Sequence, residues 1–347
     1  MTTTRRLGLA AALMMLSGNA LARNAFDAQI CSLGTSGVGK AGAVICHDVK
    51  SGMTTQSVSV GNTVSAAGGI GGSLSRHESS VLVTNLVGGA VLLQESRGRL
   101  KDPIKLSTGG EGSLSGVSSD RGAYVLTATR VLFFANGQTQ PTSSQRLLLG
   151  DGSAAQVTLA GGRAYVSEKN GSLEAFELGN GGNLIGSAQP VGGIPAGVIV
   201  GIAGHEDLVV APVAHLASNA SQAAVPVVSG LDEVQLVQTR EVAACWTATS
   251  RDEACVSNPG SMTISCGHIG PGGFTSYTAE AANPVGDAVF DIDIRGGLFG
   301  VLAMRDGAPQ LLAYARADAD SDFLTLVGQS VLGDAAATGV ILLPPLR

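Results

Sequence analysis

Charged residues make up only 14% of this 347-residue chain, which carries 49 glycines and a formal net charge of −6. An acidic chain without a Lys/Arg-rich run is excluded from the classes that bind nucleic acid or anionic lipid through charge. The composition has neither a collagen period nor the polarity of a disordered chain. It favours tight turns and buried strands over helices with charged faces.

Residues 1–22 read as a secretory signal. Arg5 and Arg6 precede the apolar run "LGLAAALMML", and Ala20-Leu21-Ala22 supplies small residues for cleavage before Arg23. The run is too short to cross a bilayer, and no other stretch approaches that length, so the mature chain is expected to have no membrane span. Residues 23–347 are expected to form one domain and to act as a monomer.

Three strands are predicted in "QICSLGTSGVGKAGAVICHDVKSGMTTQSVSV" (29–60). Inside it, "GTSGVGKA" approaches a phosphate-binding loop, with Lys40 in place but Ala41 at the hydroxyl position. Such a loop needs a helix after it. "AGAVICHDV" reads as a strand, so a glycine-rich hairpin is predicted instead.

A unit of apolar run, charged turn, apolar run, glycine turn and apolar run then recurs. It begins near Ser73, Ser113, Gln156, Val191, Ala244 and Val289, at spacings of 35 to 53 residues. Each unit has room for four strands. A lone sheet of this kind cannot bury both faces, whereas radial stacking buries them all. "ATGVILLPP" (337–345) supplies one more strand. Joined to the three N-terminal strands, it completes a further sheet. The fold class read from the sequence is therefore all-β, a seven-bladed β-propeller closed by N- and C-terminal strands sharing one blade.

Export makes disulfides reasonable. Cys31 with Cys46 and Cys255 with Cys266 each span one hairpin, leaving Cys245 as a thiol inside the apolar "VAACW". Spacing alone leaves the connectivity open. No C-x-x-C is present, and His268 is the only histidine at zinc-ligand spacing from a cysteine, Cys266.

Two turns carry a resemblance. Gly181-Gly182-Asn183-Leu184 stands where YVTN-type repeats write D-G-x-L, and Gly192-Gly193-Ile194-Pro195 stands at their G-G-x-P. "ACWTATSRDEACVSNPGSMTIS" similarly resembles a late blade of secreted members. The chain thus resembles the lactonase-like seven-bladed propeller family, which includes 6-phosphogluconolactonase and carboxymuconate-lactonizing enzymes. The resemblance implies a small lactone as substrate and a His, Arg and Glu set at one channel mouth. In this chain Ala196 and Gly197 follow Pro195, where family members commonly place the histidine.

For catalysis, His268 as base and Arg240 as oxyanion partner are the candidates. His77-Glu78 and His205-Glu206 read as solvated hairpin turns. Glu111, Asp151, Glu241, Asp287 and Asp334 all fall in turns leading into inner strands. Converging at one mouth, they would hold a structural divalent cation such as calcium, or else stand as separate solvated carboxylates. Apart from a cation no cofactor is expected. The alternative to lactone chemistry is a non-catalytic propeller that binds an extracellular protein or carbohydrate through one face.

Overall fold

The computed structural model describes residues 27–35, 41–63, 72–216, 224–238, 241–251, 253–270, 273–280, 286, 288–316, 324–332 and 336–347. Strands carry the whole described structure, and among these residues no helix is long and apolar enough to cross a membrane. The signal segment and Lys40 lie outside the described residues.

The strands group into seven sheets. The first three, β1 (Gln29–Thr35), β2 (Ala41–Asp48) and β3 (Thr54–Asn62), wait for a partner from the far end of the chain. Blade 1 holds β4 (Leu74–His77), β5 (Ser80–Leu86), β6 (Gly89–Ser96) and β7 (Arg99–Ser107). Blade 2 runs from β8 (Ser113–Ser119) through β9 (Gly122–Thr127) and β10 (Arg130–Ala135) to β11 (Ser143–Arg146). Blade 3 is β12 (Ala154–Ala160), β13 (Arg163–Glu168), β14 (Leu173–Leu178) and β15 (Leu184–Pro190).

Blade 4 is irregular. Its first strand is split into β16 (Gly197–Ile199) and β17 (Ala203–His205), and its second into β18 (Leu208–Val210) and β19 (Val213–Leu216). β20 (Ala224–Ser229) and β21 (Glu233–Gln238) complete it. The splits have a local cause. Pro212 offers no N–H to a ladder. Gly201 N–H donates to Cys245 O at 2.8 Å, and Ile202 N–H to Gln156 Oε1 at 2.9 Å. The backbone donors at the first gap therefore serve the neighbouring blades. Glycine is required at 201, where a Cβ would lie 2.7 Å from Trp246 Cα.

Blade 5 contains β22 (Thr247–Ser250), β23 (Glu253–Asn258), β24 (Thr263–Gly270) and β25 (Gly273–Glu280). Blade 6 contains β26 (Ala288–Arg295), β27 (Leu298–Arg305), β28 (Ala308–Arg316) and β29 (Leu324–Val331). The last strand, β30 (Ala336–Leu343), pairs antiparallel with β1 from Gln29↔Leu343 to Thr35↔Ala336. Blade 7 thus has the order β3-β2-β1-β30. The three-plus-one closure expected from the sequence is present.

The core confirms a closed ring. The described apolar side chains form seven buried clusters, one at each blade-to-blade interface. The 7/1 cluster joins Leu33, Val44 and Ile341 to Val81, Val83 and Leu93. The 6/7 cluster joins Leu302 and Leu311 to Ile30 and Leu342. Strands such as β9, buried at every position, need no polar face because each blade is covered on both sides.

The turn that resembles D-G-x-L has a packing role. Tyr124 Oη donates to Gly182 O at 2.6 Å, and Gly182 adopts φ +86°. Tyr165 repeats the contact one blade later, donating to Gly230 O at 2.9 Å. Both tyrosines are third in the second strand of their blade and clamp the outer turn of the next. His77 is also more than a solvated turn: its Nε2 lies 2.8 Å from Asp120 Oδ1, joining the inner hairpins of blades 1 and 2.

Both disulfides are present, Cys31–Cys46 across β1 and β2 and Cys255–Cys266 across β23 and β24. Such bonds are typical of extracellular or periplasmic proteins. Cys245 is a half-buried thiol whose pKa burial pushes up to about 12.

Candidate functional site

A cleft of about 530 Å³ opens between blades 7 and 1. Four stretches distant in sequence build it: the end of β3, the β5–β6 turn, the end of β7, and Thr139-Gln140 from blade 2. Backbone contacts fix the walls. Val87 N–H donates to Asn62 O at 2.9 Å, Thr63 bridges to Leu86, and Ser107 N–H donates to Thr139 O at 3.0 Å. Gly61 and Gly88 have φ of +111° and +72°, with no atom within 4 Å of an added Cβ. Positive φ favours glycine at both places, Gly61 near the end of β3 and Gly88 in the β5–β6 turn, and leaves the wall without side chains there.

Leu86, Ala90, Val91 and Leu106 border the cleft, but their side chains are buried in the blade cores. Val87 stands on the rim, 60% exposed. Asn62, Ser107, Thr139 and Gln140 add neutral polar groups, and among the described residues Lys105 is the one lining residue that ionises and no aromatic ring lines the cleft. The arrangement can hold a small molecule through neutral polar groups and one cation; among the described residues it offers no acid–base pair.

His268 does not line the cleft. His268 is exposed on β24, opposite Glu253 on β23. The other end of β24 touches the blade 4–5 connection, where Thr263 Oγ1 donates to Glu241 Oε2 at 3.1 Å. Five residues of extended chain, at ~3.3 Å each, put His268 roughly 17 Å further along the strand. Arg240 lies outside the described residues.

The carboxylates proposed for a cation behave as separate turn residues where they are described. Glu111 takes Arg130 Nε at 3.0 Å and Thr129 Oγ1 at 2.9 Å. Burial works to raise its pKa, but hydrogen bonds from Thr127 and Thr129, with Arg130, outweigh it and hold the group below the usual range. Asp151 accepts Ser153 N–H at 2.8 Å, and hydrogen bonding to the Ser153 side chain and backbone lowers its pKa. Glu241 is held by Thr263. Among the described residues no cluster of three potential ligand atoms within 4.8 Å includes any of these three acids. Asp287 and Asp334 lie outside the described residues.

Other acids, missed in the sequence, are buried in the ring. Asp291 and Asp293 are alternate residues of β26. Asp291 Oδ2 accepts Val340 N–H at 3.1 Å and Gly72 N–H at 3.2 Å, and its Oδ1 accepts Ile292 N–H at 2.9 Å. Asp293 Oδ2 accepts Leu342 N–H at 2.7 Å. The two carboxylates thus cap the inner edge of the closing strand, taking N–H groups from alternate residues. In blade 3, Glu174 accepts Leu148 N–H and Leu149 N–H at 2.9 and 3.3 Å. Glu168, fully buried, accepts Ser153 Oγ at 2.6 Å on one oxygen, while its Oε1 has no partner.

Burial pushes Asp291 up to about 7 against its backbone donors, Asp293 to about 6, and Glu168 to about 7 with Glu174 and Asp151 adding repulsion. These groups hold protons more tightly in the folded chain than in the unfolded one. Their contribution to stability is therefore complete below about pH 4 and lost as pH rises through 6 and 7. The melting temperature is expected to fall between pH 5 and pH 8, with Asp291→Asn flattening the slope. Calorimetry across that range checks it; a rise in melting temperature over the same interval would contradict these shifts.

No family model matches the chain, and no curated relative matches it. Solved structures do. A candidate 6-phosphogluconolactonase from Bacteroides fragilis superposes with a TM-score of 0.60 at 10% identity, covering 92% of this chain and 98% of that one. The computationally designed Ika8 protein gives 0.57 at 12% identity, over 92% and 94% of the two chains. The WD40 domain of Toxoplasma gondii coronin gives 0.54 at 12% identity, over 77% and 72%. At these identities the likeness is one of fold. Neighbours with such different names share the wheel, and function must be argued from the site.

Proposed function

We propose that this chain is an exported, single-domain propeller that works by binding a ligand rather than by turning one over. The cleft between blades 7 and 1 carries the reading. It is concave, of a volume usual for ligand sites, and lined by neutral polar groups, backbone and the exposed Val87. Its one ionisable lining residue, Lys105, has no acid–base partner there. The disulfides and the leader-like residues 1–22 support export. The missing aromatic platform favours a non-carbohydrate ligand.

Lactone chemistry, suggested by the YVTN-type turns, is the competing reading. A panel of lactones presented to the purified protein, with and without chelator, tests both. No turnover is expected on any member. Chelator is expected to leave melting unchanged, because Glu111, Asp151 and Glu241 are each satisfied by protein partners. Saturable hydrolysis of any lactone would overturn the binding reading, and a chelator-induced fall in melting temperature would restore the cation.

A further inference from the structure

We propose that His77, Glu78 and Asp120 form a zinc site that clips blade 1 to blade 2. His77 and Glu78 stand at the turn between β4 and β5, and Asp120 at the turn between β8 and β9. The cleft lies beyond the other end of β5, so the two sites are separate. One ligand atom from each of the three residues lies within 4.8 Å of the other two. Among the described residues one other group meets that measure, Glu253 with Cys255 and Cys266, and its two sulfurs are already joined to each other.

The ion pair of His77 with Asp120 explains little by itself. Its side chains are 39% and 76% exposed, and an exposed pair of this kind adds little stability. It also leaves Glu78 beside Asp120, two carboxylates that repel each other. The arginines next to them in sequence do not offset that repulsion. Arg121 donates to Asn180 O in blade 3, and Arg76 turns to Glu95, 3.8 Å away. A divalent cation offsets both carboxylates.

The donor types select the ion. One imidazole nitrogen with two carboxylates suits zinc, whereas calcium and magnesium take oxygen. His77 Nε2, which faces Asp120 Oδ1 at 2.8 Å, is the nitrogen that would bind. Ligands ~2.1 Å from a tetrahedral zinc stand about 3.4 Å apart, so the pair must open by roughly half an ångström. Exposed side chains allow that, and water takes the fourth position.

The ring supplies its own control. Blade 4 carries a second His-Glu pair, His205-Glu206, at the equivalent turn between β17 and β18. In blade 5, however, Arg251 follows the paired Ser250, as Asp120 follows Ser119 in blade 2. The position that gives blade 1 a carboxylate gives blade 4 a cation, so His205 is expected to hold no zinc.

The test uses the untagged full chain after chelator treatment. A half-exposed site of three ligands is weaker than a closed one of four, so it fills only when zinc is supplied, and chelator alone changes nothing. Titration calorimetry is expected to find one zinc per chain, with calcium and magnesium weaker by about a hundredfold or more. The melting temperature should rise by a few degrees once zinc is about a hundredfold above its dissociation constant. His77→Ala and Asp120→Asn should each weaken zinc binding by about a hundredfold, while His205→Ala leaves it unchanged. None of the substituted side chains is buried, so the variants should fold as the parent does. Cobalt in place of zinc should show a tetrahedral ligand-field spectrum that His77→Ala lacks. Zinc binding that survives His77→Ala, or that is lost in His205→Ala, would overturn the site. So would calcium binding as tight as zinc, or no zinc binding by cooperatively folded protein.

Discussion

Replacing Asp291 by alanine is expected to destabilise the protein by ~3–5 kcal/mol, more than the loss of either disulfide. The side chain is 6% exposed and serves three backbone N–H groups from three different places. One is its own neighbour Ile292, one opens blade 1 at Gly72, and one is Val340 of the closing strand. Alanine leaves three buried donors without an acceptor and a void where the carboxylate stood. At this chain length the loss corresponds to a melting temperature lower by roughly 10 °C. Asparagine keeps the shape and one good acceptor, so Asp291→Asn should cost less than half as much. Urea unfolding of the two variants measures the difference. Equal stabilities for Asp291→Ala and the parent would show that the carboxylate does not hold the seam.

Removing the Cys31–Cys46 bond comes second. The cross-link closes a loop of 15 residues, which constrains the unfolded chain by about 3 kcal/mol. It lies in blade 7, where the two ends of the chain meet, so the released freedom falls on the seam. The Cys31→Ala/Cys46→Ala double variant should therefore lose about 3 kcal/mol, and the Cys255–Cys266 bond, spanning 11 residues, somewhat less. Both are read by denaturant midpoints with and without reductant. Thiol titration of the native protein should meanwhile find no fast-reacting group, since burial keeps Cys245 protonated. An unchanged midpoint after reduction of both bonds would refute their contribution.

Much of the wheel is legible in the residues alone. The phase of the repeats, the three-plus-one closing blade and both cysteine pairs depend on local patterning and on counting strands. The irregularity of blade 4 is not legible. Pro212 is visible, but the first gap exists because Gly201 and Ile202 turn their N–H groups to Cys245 and Gln156 in other blades. The buried acids are hidden for a related reason. In "VFDIDIR" the alternation suggests a polar, solvated face. In the ring that face meets β30, and Asp291 and Asp293 are polar because their partners are backbone. The cleft is the least legible feature, since four separated stretches form it and none looks unusual alone. The candidate catalytic residue His268 stands out by residue type alone, and the structure places it on β24, exposed and outside the cleft.

The seam has a consequence for how the molecule comes into being. β30 follows every other strand in chain order, yet β1, the earliest, has no inner neighbour without it. A polypeptide made amino end first must hold β1 to β3 in suspense through six further blades. Throughout that wait Cys31 and Cys46 are the only covalent means of keeping the first hairpin in register. Early oxidation of that pair, ahead of Cys255 and Cys266, would leave the waiting hairpin already set when its last partner arrives.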